Sequence, residues 1–151
     1  MNELKNQIVQ WAQAKGLLTN VTPERIEKQT LKVIEELGET AGAYLKNNKP
    51  ELKDGIGDVA VTLIILSAMC GDSLDLKRPI DSDVNSLVEI AGCLNDFRMY
   101  DNSQDELNYA FSVLKNFAFE NNLFMADCMQ TAYDVISKRT GKIIGDTFVK
   151  D

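Results

Sequence analysis

Apolar positions recur along the chain at helical spacing almost throughout, and no stretch alternates polar with apolar residues as a half-buried strand does. A first helix is expected from Glu3 to Lys15, burying Leu4, Ile8 and Trp11 and stopping at Gly16. The second has a clear start, with Thr22 as N-cap, Pro23 at the first helical position and Glu24 behind it. Its apolar residues Ile26, Val33, Leu37, Ala41 and Tyr44 keep the period to about Asn47. Pro50 suits the first turn of a third helix, reaching about Cys70 and ending near Gly71. From Val59 to Leu66 that helix is apolar on every side apart from one threonine, which places it at the centre of a bundle.

A fourth helix is expected from about Ser82 to Arg98, with Val84, Leu87, Val88, Ala91 and Leu94 on one stripe. Ser103 followed by Glu106 is a capping-box signature for a fifth, buried through Leu107, Ala110, Phe111, Leu114 and Phe117. The last should begin after Asn121-Asn122 and end at Gly141, turning Phe124, Cys128, Ala132 and Val135 inward. A short tail, IIGDTFVKD, follows. No repeat, low-complexity tract or polar linker divides the chain. The expected fold class is all-α: one domain, residues 1–151, a bundle of five to six helices.

Composition narrows the chemistry. The apolar fraction of 44% and charged fraction of 26% are those of an ordinary soluble protein of 151 residues. A net charge of −7 with no basic block argues against a nucleic-acid partner. The longest apolar run, Val59 to Met69, is too short to span a membrane, and the polar start MNELKNQIVQW is unlike a secretory signal, so a cytoplasmic location is expected. Cys70, Cys93 and Cys128 lack paired spacing and fit small core residues. The absence of histidine removes imidazole bases and most zinc and copper sites. Metal chemistry here would use oxygen ligands, which favours magnesium, manganese or calcium.

Five acids stand out against that background. Glu35, Glu36 and Glu39 fall within an arc of about 100° on the second helix. On the third, Asp54 and Asp58 are one turn apart, with Glu51 nearly in line. Such a group repels itself unless a cation sits among it, and a divalent ion between facing helices is one solution. Two plainer explanations stand beside that one. Glutamates are common on a solvated helix face, and acids early in a helix favour its positive end. Asp58 weighs against both, because it directly precedes the all-apolar run, where a carboxylate needs partners.

EELGE at Glu35–Glu39, followed by GDVAVTLIIL, resembles the MazG-like all-α nucleoside triphosphate pyrophosphohydrolases, marked by EExxE on one helix and ExxD on the next. QWAQAKGLL and EKQTLK before the glutamates, and CMQTAYDVISKRTGK near the end, are similar to other segments of that family in the same order. The resemblance implies metal ligation by Glu35, Glu36, Glu39 and Asp58. Gly55 stands where the family's second motif expects a glutamate, so Asp54 is the candidate substitute from the neighbouring position. Residues 77–120 have no counterpart in the shortest members and are expected to be an inserted helical hairpin.

The activity implied is Mg2+-dependent cleavage of (d)NTP to (d)NMP and pyrophosphate, with Mn2+ as a possible substitute, in a homodimer or homotetramer. Glu36 and Glu39 are the candidate catalytic carboxylates, one of them orienting or deprotonating water. Lys138, Arg139 and Lys142 are candidate phosphate contacts, although basic residues at a helix end also complement its dipole. Lys32, one turn before Glu36, contacts phosphate or offsets the acids. Trp11 belongs to the core or lines a base pocket. Tyr133 and Asp134 align with the family's closing helix, where packing and solvation explain them as well. A non-catalytic helical oligomerisation or regulatory module with a degenerate metal site is the alternative. An EF-hand is disfavoured, since no D-x-D-x-D-G loop is present.

Overall fold

The computed structural model describes residues 1–151. Six helices are present: α1 (Asn2–Ala14), α2 (Pro23–Leu45), α3 (Lys49–Met69), α4 (Leu87–Met99), α5 (Gln104–Glu120) and α6 (Met125–Ile136). A two-stranded hairpin, β1 (Gly141–Ile144) and β2 (Thr147–Lys150), ends the order. The all-α bundle expected from the apolar pattern is what forms, with this small hairpin added.

Helix α3 is the axis. Every residue from Val59 to Ser67 is buried, and α2 and α6 pack along it more extensively than any other helices. Its start is set by Asn48, whose Oδ1 accepts from the Glu51 N–H at 3.3 Å, with Pro50 in the first turn. Helix α2 starts as its sequence predicts: Thr22 Oγ1 accepts from the Arg25 N–H at 3.2 Å. Helix α1 lies on α3 through Leu4, Ile8 and Ala12, spaced one turn apart. Helices α4 and α5 form a pair, α4 resting on α2 and α5 on α3. Arg98 Nε donates to Glu27 Oε2 at 2.8 Å across the first of these contacts.

Several boundaries and faces differ from expectation. Helix α4 begins at Leu87, because Ser86 accepts from the Val88 N–H at 3.2 Å and caps it. Its buried stripe is therefore Ile90, Cys93, Leu94 and Phe97, while Val88 and Ala91 are exposed. At α5 the capping box does not form: the Glu106 N–H bonds the Ser103 backbone carbonyl at 3.2 Å, leaving the Ser103 side chain without that role. Phe124 precedes α6 and Val135 lies on its outer face, so both are exposed; Met125, Cys128, Met129 and Ala132 pack inward instead. Tyr44 is also half exposed, its ring meeting Phe117 edge-on at 5.3 Å.

Helix α6 stops at Ile136, five residues before Gly141, and the tail folds back as the hairpin. Gly145-Asp146 makes the two-residue turn, with Ile144 opposite Thr147 and Gly145 at φ +61°. Gly141 and Ile143 face inward while Lys142 and Ile144 face out. All three cysteines are free thiols. Burial pushes Cys93 up to about 12 and Cys128 up to about 11, so both are inert packing groups.

Candidate functional site

Gln29 Nε2 donates to the Thr62 carbonyl at 3.1 Å, and further along Thr40 packs on Gly55. Ascending α2 thus descends α3, so the two helices run antiparallel. This pairing brings Glu36 and Glu39 to the level of Asp58. A β-carbon on Gly55 would lie 2.6 Å from Thr40 Oγ1 and 3.2 Å from Thr40 Cα. Two residues on, a β-carbon on Gly57 would lie 2.2 Å from the Cys128 carbonyl oxygen of α6. Residues two apart on a helix point in nearly opposite directions. The glycines of DGIGD are therefore notches that let α2 and α6 close on α3 from opposite sides, with Asp54 and Asp58 between them. Gly55 is a contact point where no glutamate side chain fits without parting the helices.

One cavity of about 440 Å³ lies along α2 and α3. The α3 residues lining it, Asp58, Val61, Thr62, Ile65 and Met69, form one stripe. It changes from acidic to apolar over about 16 Å. Opposite, α2 contributes Glu39, Glu36 and Glu35, then Lys32, Gln29, Lys28 and Arg25. Arg139, just past α6, and Asp146, Thr147, Phe148 and Lys150 of the hairpin close the side, while Trp11 of α1 joins the apolar end. A second recess of about 140 Å³ is lined by Glu39, Glu51, Asp54, Gly55 and Asp58. Glu39 and Asp58 border both spaces.

Within this cluster the acids are not equivalent. The Glu36 side chain is 14% exposed and that of Glu35 56%, so Glu36 is the glutamate of this pair turned toward the protein. Lys32 bridges them, its Nζ 3.2 Å from Glu36 Oε1 and in contact with Glu35. Burial opposes the Lys32 charge, but hydrogen bonding and attraction from Glu35 and Glu36 outweigh it and raise its pKa. Asp58 is pushed up to about 6, first by burial and then by the charges of Glu36 and Asp54, with Glu39 adding and Arg139 opposing. Glu39, Asp54 and Asp58 make no ion pair.

The set is made of hard oxygen donors with excess negative charge, and that charge adds to burial in raising the Asp58 pKa. In donor type and charge it fits a divalent cation such as Mg2+ or Mn2+. The acids converge on two adjoining recesses and not on one point, since no three lie close enough to hold an ion among them.

Of the residues expected at the site, Glu35, Glu36, Glu39, Asp58, Lys32 and Arg139 share the larger cavity, and Asp54 lies in the smaller recess. Lys138 and Lys142 do not come to either. Lys138 is exposed in the turn after α6, and Lys142 occupies an outward position of β1. Trp11 is half-buried, packing against the hydrophobic core and also lining the cavity. Tyr133 and Asp134 line neither space.

Three basic residues escaped the sequence pattern: Arg25, Lys28 and Lys150. Arg25 is 6% exposed and donates to four backbone carbonyls of the α1–α2 connection. Nη2 reaches Gly16 at 2.9 Å and Leu17 at 3.2 Å, and Nη1 reaches Thr19 and Asn20. Lys28 Nζ lies 3.3 Å from Asp146 Oδ2, joining α2 to the hairpin turn. The hairpin carried the one missed signal, since Ile-Ile and Thr-Phe-Val flanking Gly-Asp is a hairpin pattern.

No protein-family model matches the chain, and no solved structure matches it significantly. Over 67 residues the chain is 37% identical to the "uncharacterized 18.2 kDa protein in rep-hol intergenic region" of Haemophilus phage HP1 (strain HP1c1). The match covers 44% of this chain and 39% of that protein, so the chain spans less than half the length of this relative.

Proposed function

We propose that the chain is a Mg2+-dependent nucleotide pyrophosphohydrolase cleaving (d)NTP to (d)NMP and pyrophosphate. The observation that carries this is the order of groups in one cavity: acids of α2 and α3 at one end, Arg139 and lysines beside them, and an apolar end with Trp11. A nucleoside triphosphate has the same polarity along its length. The ligands for the cation would be drawn from Glu35, Glu36, Glu39, Asp54 and Asp58, which spread over two recesses with Glu39 and Asp58 bordering both. When bound, Mg2+ offsets the phosphate charge and makes water more acidic.

The protein's own part is positioning and proton transfer. Water oxygen bonds to the α-phosphorus, the bond from that phosphorus to the α–β bridging oxygen breaks, and pyrophosphate leaves with the electron pair. Glu36 or Glu39 accepts the proton of the attacking water. Arg139, which lines the same cavity, would offer two parallel donors to phosphate oxygens, and Lys32 would add a positive charge. The exposed apolar residues Leu31, Ile34 and Leu45 of α2 suit burial in a homodimer or homotetramer. No helix is long and apolar enough to cross a membrane.

The spread of the acids over two recesses favours one competitor, a helical module without catalysis. Pyrophosphate release from a panel of standard and modified nucleoside triphosphates with Mg2+ separates the two. Release that is abolished in Glu39→Gln supports the enzyme. No release from any member of the panel, with no rise in melting temperature on adding Mg2+, selects the module.

A further inference from the structure

Two uncharged stripes on the outside of the bundle have no partner within the chain. On α2, Leu31, Ile34, Gly38, Ala41 and Leu45 follow the three-four spacing that keeps residues on one face. Leu31 and Leu45, at its ends, are 55% and 78% exposed. On α4, Val88, Gly92, Asn95 and Met99 repeat that spacing, and all four are exposed. The Arg98–Glu27 pair holds the end of α4 to the start of α2. At the other end, Asn116 of α5 donates to the Val84 carbonyl ahead of α4, while the neighbouring Phe117 meets Tyr44 of α2. Helix α4 therefore runs antiparallel to α2, and the stripes lie side by side.

The α2 stripe is complementary to itself. Gly38 stands at its midpoint, seven residues from both Leu31 and Leu45, so the stripe is large at its ends and small in the middle. Antiparallel pairing about a two-fold axis at Gly38 sets Leu31 against the partner's Leu45 and Ile34 against the partner's Gly42. The charges agree with that direction. Exposed Glu24 and Glu27 mark the start of α2, and exposed Lys46 and Lys49 follow its end. Antiparallel pairing brings the acidic start of one copy to the basic end of the other, whereas parallel pairing would set like charges together.

We propose that α2 and α4 form the face on which two copies of this chain associate, with the two α2 helices antiparallel and Gly38 on the two-fold axis. What this adds to an oligomer is its surface and its register, and neither depends on a reaction at the cavity. Glycine weakens a helix relative to alanine, and no contact within the chain accounts for Gly38, Gly42 or Gly92. A β-carbon on any of the three would meet nothing within 4 Å, unlike those on Gly55 and Gly57. The paired stripes cover about 20 Å by 20 Å, the size of a functional patch on a soluble monomer.

Sedimentation equilibrium of the intact chain tests the face. The expected species is a dimer, twice the 16.8 kDa chain, forming in the micromolar range that suits an interface of modest size. Leu31→Lys and Gly38→Arg, both at exposed positions, should each weaken association at least about thirtyfold with an unchanged circular dichroism spectrum. Disulfide trapping in a Cys70→Ser background reads the register. Gly38→Cys should cross-link two copies, because only a residue on the axis meets itself. Leu45→Cys should not, since its two copies would lie about 21 Å apart. A monomer at every concentration up to about 1 mM overturns the proposal and leaves the face to a different protein. A dimer that either charged substitution leaves intact overturns it as well. Cross-linking through Leu45→Cys overturns the antiparallel register.

Discussion

Gly55 and Thr40 touch across the α2–α3 contact so closely that a β-carbon on the glycine would stand 2.6 Å from the threonine hydroxyl. Thr40 is fully buried and its Oγ1 donates to the Glu36 carbonyl at 2.7 Å, one turn back toward the acids. Gly55→Ala should therefore lose stability even though alanine is the better helix former, by about 1–3 kcal/mol from overpacking. Urea denaturation measures it, and Thr40→Ala in the same chain should recover part of the loss. A gain in stability from Gly55→Ala alone would show that the helices are not in contact there.

Asp58 gives the cluster a pH signature. Its folded pKa of about 6 lies above its usual 3.8, so the folded state favours the protonated form. That contribution is fully present below pH 3.8 and is lost as pH rises through 6. In chelator, the ionised carboxylate should cost on the order of 1 kcal/mol above pH 7 once solvent screening is included. Asp58→Asn should remove that cost and flatten the melting-temperature profile between these limits, while Mg2+ should raise the melting temperature of the parent more than that of the variant.

Glu39 borders both recesses, and Glu39→Gln keeps its size while removing its charge. Pyrophosphate release should fall at least about a hundredfold with an unchanged circular dichroism spectrum. A rate within threefold of the parent would remove Glu39 from the machinery.

The basic residues should divide by position. Arg139→Ala is expected to lower kcat/KM by about ten- to a hundredfold, as befits a lost charged contact to phosphate. Lys138→Ala and Lys142→Ala should stay within about twofold, since neither reaches the cavity. A larger effect from Lys142 than from Arg139 would mean that the hairpin turns its other face inward during catalysis.

Arg25→Lys tests a purely geometric role. The guanidinium serves four carbonyls at once, which an ammonium on a flexible stem does not reproduce. A loss of about 2–3 kcal/mol in thermal or urea unfolding is expected, together with faster amide hydrogen exchange in residues 16–20.

Helix existence was legible wherever burial follows one period. Thr22-Pro23 and Pro50 announce their helix starts in the sequence itself, and the apolar run of α3 announces its place at the centre. The start of α4 was misplaced because Val84 and Leu87 continue an apolar spacing across a segment that is not helical. The hairpin was hidden because its strands are four residues each and follow a helix whose basic end invites extension to Gly141. At the site, the acids share a face in sequence terms, yet Arg25 looked like one more exposed helix residue until the loop it binds was folded around it. The meaning of Gly55 was equally out of reach, since a close approach depends on the residue opposite.

Glu39 and Asp58 border both recesses, so a cation in one and an anion in the other would be interdependent. A cation settled in the smaller space lowers the negative potential facing the larger one, and so favours an anionic guest there. Thermodynamic reciprocity requires the anion to strengthen cation binding by the same factor. Neither affinity is then a property of its own recess, and each has to be measured with the other's concentration stated.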